Sequence, residues 1–548
     1  MARWCIEESG MPDSYYVVDL FAGPGGLAEG FTSIRDERGK KPFKLAFSIE
    51  KDAPAHKTLR LRSFLRQFEG GYPAAYYDFL NFGGEEPDWA QDFPEQWKAA
   101  EHEALELELG RDEHAPLIAA RIEELKKTAG GRTIVIGGPP CQAYSMAGRS
   151  KNRSVDGYDP ATDERHFLYK EYIGILASLK PAAFVMENVK GLLSSAIAGE
   201  RIFSRVLEDL RKAGGAPDSY VLMALSPSDS EHPGLRETGK ARDFVIHAEK
   251  FGVPQSRHRI IIVGVRRDLI GGDADSIKMD ARPARKPAYV RHMLMGMPTL
   301  RSGLSRKDSP EAWAGAMIEG IVAVRDATVG AENDDWKAVH KHAAHFLEEF
   351  KAQKKRRPRE ASGKPVVGPG CPPELASWIL DPRMTGLTNH ASRSHMPSDL
   401  ARYFFVATFG FKRGRSPVAS DFPEALAPKH KNWKDGIFSD RFRVQLWNLP
   451  STTVTSHLSQ DGHYFIHPDW AQCRAISVRE AARLQTFPDN YFFKGNKTQQ
   501  FIQVGNAVPP FLAREIGEAL WEFLQKAEAV RSADKVPISQ PAPEAPVA

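Results

Sequence analysis

Short apolar runs in the first half of this chain stop abruptly on glycines or on an acid. YVVDLFAG meets glycines at 23, 25 and 26, and FKLAFSIE ends on Glu50. TIVIGG runs into Pro-Pro-Cys, and AAFVMEN closes on Glu187 and Asn188. Runs this short and this apolar suit strands buried on both faces, and LAEGFTSI and HKTLRLRSFLRQF between them read as helical crossovers. AAYYDF reads as a third strand closing at Asp78, and FGVPQSRHRIIIVGVRRD supplies a later one near 260–266. The alternation implies an α/β fold built on a parallel sheet. Such sheets bind ligands at the carboxyl ends of their strands, where all these polar clusters fall.

Two stretches interrupt the pattern. Residues 81–130 read as two inserted surface helices, WKAAEHEALELELG and APLIAARIEELKKTAG. From about 270 to 450 the periodicity is lost in a segment rich in Pro, Gly, Arg and His, with HKHAAHFLEEFKAQKKRRPRE as an extra helical insert. Order returns with SVREAARLQTFPD, a helix with a clear start, and with the amphipathic FLAREIGEALWEFLQKA. The Pro/Ala-rich tail VPISQPAPEAPVA reads as disordered.

At 548 residues the chain is too long for one ordinary domain. No apolar run is long enough to span a membrane, and the N-terminus lacks the apolar centre of a signal peptide. The four cysteines are far apart without a CxxC pair, which argues against a zinc site and a disulfide framework and suits a reducing cytoplasm. Residues 281–450 hold 28 Lys and Arg against 17 Asp and Glu, a net of +11 in a chain whose total is +4. A basic middle within a mildly acidic remainder points to a polyanionic partner held in one place, although a solvated basic loop would show the same charge.

The glycine loop after the first strand is neither GxGxxG nor a phosphate loop with a Lys-Ser/Thr pair. Glycines there let the backbone approach a ligand closely. Glu50 at the second strand end can accept ribose hydroxyls, and Asp78 at the expected third strand end can accept from an adenine amine. Glycine loop, acid and acid along one rim describe an adenosine-containing cofactor lying across the sheet. Cys141 follows a fourth strand on that same rim. Pro139 and Pro140 stiffen the backbone ahead of it, which suits an aimed nucleophile better than a small core residue.

These residues carry a resemblance. GGPPCQAYSMAGR resembles the catalytic loop of the DNA (cytosine-5)-methyltransferases, and DLFAGPGG, ENV (187–189), QSRHR (255–259), RLQTFPD (483–489) and QVGNAVPP (503–510) follow that family's order. The resemblance covers roughly 1–270 and 440–525. It implies a Rossmann-like S-adenosylmethionine-dependent methyltransferase sheet with a second, basic target-recognition domain. The catalytic domain would span 1–275, with its helical insert at about 81–130. Target recognition would span 276–470, a returning C-terminal segment 471–527, and the tail 528–548.

By that resemblance Cys141 attacks C6 of a flipped-out cytosine in double-stranded DNA, making C5 reactive towards the methyl of S-adenosylmethionine. Glu187 matches the acid at N3, a role that needs a protonated or proton-sharing carboxyl. Arg257 and Arg259, expected on one face of a strand, match the arginines at O2 and the neighbouring phosphate; Arg259 is the better match for O2, and Arg257 could equally be structural. Phe21, Gly23, Gly25, Glu50, Asp78, Pro140, Asn506 and Val508 would line the cofactor pocket. Gln142, Ser145, Arg257, Thr452 and Thr453 would lie against DNA. Lys51 departs from the family, where a bulky apolar residue often walls the adenine. No metal is expected. The implied enzyme is a monomer of the bacterial cytoplasm and nucleoid, paired in some systems with a restriction endonuclease. The alternatives are an RNA cytosine-5 methyltransferase on the same scaffold and a non-catalytic DNA-binding homologue. CQAYSMAGR with the large basic segment favours DNA, and intact Cys141, Glu187 and Arg259 favour catalysis.

Overall fold

The computed structural model describes residues 14–140, 168–194 and most of 196–533. Five strands run parallel: β1 (Tyr15–Leu20), β2 (Phe43–Glu50), β3 (Ala104–Glu106), β4 (Thr133–Gly137) and β5 (Ala183–Val189). β6 (Tyr220–Ser226), β7 (Gly234–Glu237), β8 (Val245–His247) and β9 (His258–Arg266) add antiparallel pairs. The order across the sheet is β3-β2-β1-β4-β5-β9-β6-β7, with β8 also paired to β9. Chain order reverses between β1 and β4, which leaves a crevice at their carboxyl ends.

Alternate residues of each central strand enter different cores. Val17, Ile134, Ile136, Val185, Ile261 and Val263 pack with Leu27 and Phe31 of the helix Gly26–Ser33 and with Leu512 and Ile516 of the C-terminal helix Pro510–Ala533. Val18, Val135, Phe184, Ile260 and Ile262 face Ile118, Tyr172 and Phe203 from helices Ala115–Ala129, Leu168–Leu179 and Ile202–Lys212. The sheet is therefore covered on both faces, as its unbroken apolar runs require. The C-terminal helix returns to the first helix, as the resemblance implies. A Cβ on Gly30 would lie 2.5 Å from Ala513 Cβ, so the bare backbone permits the close approach.

Two expectations are corrected. AAYYDF is not a strand but part of the helix Ala74–Phe82. Its buried residues Tyr76, Tyr77 and Leu80 form one helical face against Phe64 and Trp89. Aromatic residues, which favour strands when they pack on a pleated surface, here pack equally well on a helix. The third parallel strand is instead β3, inside the stretch expected to hold two helices. Those helices, Pro94–Glu103 and Ala115–Ala129, flank it. The basic middle is also more regular than its sequence suggests. Helices Pro310–Ala327, Asp334–Ala352 and Pro397–Arg413 share a core built from Trp313, Ile321, Phe346, Phe350 and Phe404.

Candidate active site

β1 empties into a loop that takes left-handed conformations at Phe21 (φ 56°), Gly23 (φ 57°) and Gly25 (φ 97°). Phe21 pays steric strain for that conformation, so its surroundings must hold it. The Ala22 N–H donates to the Ile49 carbonyl at 3.0 Å, and the Gly23 N–H donates to Glu50 Oε2 at 2.7 Å. The other oxygen, Glu50 Oε1, accepts from the Asp52 N–H at 2.7 Å. Burial raises the Glu50 pKa against these N–H donors. Each oxygen keeps a further lone pair for a hydroxyl. Around Gly23 a side chain would meet nothing within 4 Å, so the loop faces open space. Tyr491 donates its hydroxyl to the Pro24 carbonyl and ties RLQTFPD's neighbour to this loop. In β1 itself Asp19 is fully buried, and desolvation pushes its pKa up to about 8.

Asp78 does not join this rim: it is exposed on the helix Ala74–Phe82. The acids at the end of β3 are Glu106, the register partner of Glu50, and Glu108, which pairs with Lys51 Nζ at 2.9 Å. With Asp52, Leu107, Arg111 and His114 they line a cavity of about 460 Å³ beside Glu50. ALELEL alternates apolar and acidic residues, the signal that could have placed this strand.

On the other side of β1, β4 exits through Gly137, Gly138, Pro139 and Pro140. Asn188 is buried and donates from Nδ2 to the Pro139 carbonyl at 3.3 Å, which anchors the loop where it leaves the sheet. Glu187 precedes it. Its Oε1 lies 3.0 Å from Arg259 Nε, and both side chains are mostly buried. A Cβ on Gly138 would lie 3.1 Å from Glu187 Oε2, so the carboxylate rests against the backbone just ahead of Cys141. Cys141, Gln142 and Ser145 themselves lie outside the described residues. Asn188 had no more than a helix-capping role legible in sequence; its loop anchor is visible only here.

Arg257 sits just ahead of β9 and bonds inward. It falls between the short strand Gln255–Ser256 and β9, is 2 % exposed, and donates from Nη1 to the Val454 carbonyl at 2.8 Å and the Gly505 carbonyl at 3.4 Å. Burial lowers its pKa well below the usual arginine value. Thr453 donates its hydroxyl to the Ser256 carbonyl at 2.7 Å, and the Thr452 N–H donates to Gln445 Oε1 at 2.9 Å. The Gln255 side chain accepts from the Val454 N–H and donates to the Leu484 carbonyl. QSRHR, STTV, RLQTFPD and QVGNAVPP are thus knotted together. The polar groups of Arg257, Thr452 and Thr453 assigned to DNA bond inward to this knot. The cause is the parallel pairing of Gln255–Ser256 with Ser451–Thr452, which no local pattern reveals.

Asn506 is exposed at the end of the helix Lys497–Asn506, while Val508 is buried. The Val508 carbonyl would lie 2.3 Å from a Cβ on Gly26, so this motif closes directly on the first glycine loop.

The chain is 31% identical over 524 residues to type II methyltransferase M.Bpa9945I of Bacillus paralicheniformis, covering 93% of this chain and 99% of that protein. It is 27% identical over 544 residues to type II methyltransferase M.AgeI of Thalassovita gelatinovora, with 92% and 98% covered. It is also 27% identical over 540 residues to the DNA (cytosine-5-)-methyltransferase M.ApeKI of Aeropyrum pernix, with 93% and 99% covered. A crystal structure of an E. coli prophage protein, assigned as a DNA modification methyltransferase, superposes with a TM-score of 0.51 at 18% identity over 93% of this chain and 100% of that one, a likeness of fold. The profile of the C-5 cytosine-specific DNA methylases matches residues 120–522, more than half of the chain, and the chain belongs to that family.

Proposed function

We propose that this C-5 cytosine DNA methyltransferase of restriction-modification type works through Cys141 on a cytosine turned out of a specific duplex sequence. The Glu187–Arg259 pair, set against Gly138 where the GGPPC loop leaves the sheet, carries the reading. The glycine loop fits S-adenosylmethionine, the family's methyl donor: Gly23 opens on unfilled space, Glu50 stands beside it and Val508 closes the far wall. Phe21, Gly25, Pro140 and Asn506 complete that pocket, with Glu106 or Glu108 in place of Asp78 at the adenine end. The cofactor supplies an electrophilic methyl group.

The Cys141 sulfur bonds to C6, and the electrons of the C5–C6 double bond shift towards C5 and N3. Glu187 delivers a proton at N3, and Arg259 holds Glu187 in place while facing O2. Once C5 carries the methyl group, its proton passes to solvent, the C5–C6 double bond reforms, the Cys141 thiolate is expelled and N3 returns its proton to Glu187. The target carbon is unreachable in a stacked duplex, so the base must be extruded at a cost of a few kcal/mol. Neither described cysteine competes for the role: burial pushes the Cys371 thiol up to about 11 and raises Cys473 as well.

The 276–470 segment, with its net positive charge, reads the target bases and holds phosphates, and Gln142 and Ser145 meet DNA as the catalytic loop closes. One copy suffices, because each strand is methylated separately, and an endonuclease of the same specificity would be its counterpart. Bisulfite sequencing of plasmid DNA from expressing cells, beside a Cys141→Ala control, tests the reading. One recurring protected site, lost in the control, is expected; protection that survives Cys141→Ala overturns the mechanism. DNA carrying 5-fluorocytosine at that site should give a denaturant-resistant complex with the parent enzyme alone.

A further inference from the structure

The β8–β9 ladder brings three metal-ligating side chains together. His247 and His258 are direct register partners across the two antiparallel strands. Their rings sit 3.8 Å apart at 36°. Glu249 follows in the short helix Ala248–Phe251 and turns its carboxylate to both. Glu249 Oε1 lies 2.9 Å from His258 Nε2 and 3.5 Å from His247 Nδ1. One ligand atom from each residue falls within 4.8 Å of the others.

We propose that His247, Glu249 and His258 bind a divalent transition ion of the zinc class, with the fourth position open to solvent. Tetrahedral zinc with bonds of about 2.0–2.2 Å to imidazole nitrogen and carboxylate oxygen places its ligand atoms about 3.4 Å apart, close to the spacings found here. The donor set, two imidazoles and one carboxylate, suits zinc, nickel or copper and excludes a calcium-type oxygen cage. The site needs little rearrangement. Ladder pairing fixes both histidine backbones, and the Ala248 N–H donates to the Arg257 carbonyl at 3.0 Å, holding the Glu249 turn against β9. The side chains are 40%, 24% and 35% exposed for His247, Glu249 and His258, so an ion can enter without unfolding.

The site also adjoins the chemistry. The His258 carbonyl accepts from Arg259 Nη1 at 2.9 Å, and Arg259 Nε faces Glu187. An ion that pins His258 therefore steadies the residue before Arg259.

The test is a Zn²⁺ titration of the full-length, chelator-treated protein against a chromophoric chelator at neutral pH. It uses a Cys141→Ala background so that the Cys141 thiol cannot supply the site. One Zn²⁺ per chain is expected. His247→Asn and Glu249→Gln should each weaken it by at least about tenfold, since loss of even an outer-shell partner costs that much. Co²⁺ should give the intense visible bands of a four-coordinate ion, lost in both variants. Zn²⁺ affinity unchanged by either substitution, or no stoichiometric Zn²⁺ on this background at micromolar concentration, overturns the proposal. Circular dichroism of both variants confirms that a loss of binding is not a loss of fold.

Discussion

Glu187 illustrates how one side chain is fixed from three sides: β5 places it at a strand end, Arg259 holds one oxygen, and Gly138 leaves room for the other. Replacing it by Gln keeps the shape and removes the transferable proton. Glu187→Gln should lower single-turnover methylation by about 10²–10⁴-fold, the usual worth of a positioned acid–base group, while S-adenosylmethionine affinity measured by calorimetry stays unchanged. Asp19 makes a different prediction. Its pKa is about 8 in the folded chain against an ordinary value of 3.8, because burial disfavours the carboxylate. The folded state thus binds the proton more tightly than the unfolded state does. Stability must fall as pH rises from about 4 to about 8 and level off above that. Asp19→Asn removes this penalty. The variant should melt at nearly the same temperature as the parent near pH 5 and above it at pH 8.5. An equal gap at both pH values would show that Asp19 is not the titrating group.

At the scale of elements, RLQTFPD is a structural clasp. The helix Val478–Leu484 starts with a capping box between Ser477 and Glu480, the helix start that its sequence announces. Arg483 and Asp489 are wholly buried and meet through two hydrogen bonds, at 2.8 Å and 2.7 Å. Arg483 Nη1 also donates to the carbonyls of Met293 and Val366, joining this helix to the start of the basic segment. Breaking a buried pair from one side leaves an uncompensated charge, so Asp489→Asn should cost about 3–5 kcal/mol in urea unfolding. Arg483→Met with Asp489→Leu should cost less than either single change, since no charge is then stranded. The helix start at Ser477 and the apolar strands β1, β2, β4, β5 and β9 were legible in sequence because their signals are local. β3 was not, because the helical WKAAEHE runs straight into ALELEL and hides the change of period. The inward bonds of Arg257 and Thr453 were hidden for another reason. Their partners Val454 and Ser256 are each 197 residues away along the chain, and no local pattern carries that pairing.

The whole molecule is closed by its two ends. Helix Gly26–Ser33 follows the first strand, and Pro510–Ala533 is the last described helix, yet they share one core over the sheet. The basic segment, net +11, is spliced between them, so on the proposed reading the target-recognition part can vary without disturbing the sheet. That economy concentrates risk at the junction where the chain returns. Gly26 opens the first helix, and a Cβ there would lie 2.3 Å from the Val508 carbonyl oxygen, backbone against backbone. Neither side can yield by rotating a side chain, so Gly26→Ala must push the QVGNAVPP segment away from the glycine loop. Overpacking of this kind costs about 1–3 kcal/mol. Gly174→Ala, in the helix Leu168–Leu179 with nothing within 4 Å of the new methyl, is the control and should be stabilising by up to about 1 kcal/mol. Thermal melts of both variants, with and without S-adenosylmethionine, separate two outcomes. If the returning segment forms a wall of the cofactor pocket, Gly26→Ala loses more of the ligand-induced rise in Tm than its own destabilisation explains. If the segment only braces the fold, the ligand raises Tm in Gly26→Ala as much as in the parent.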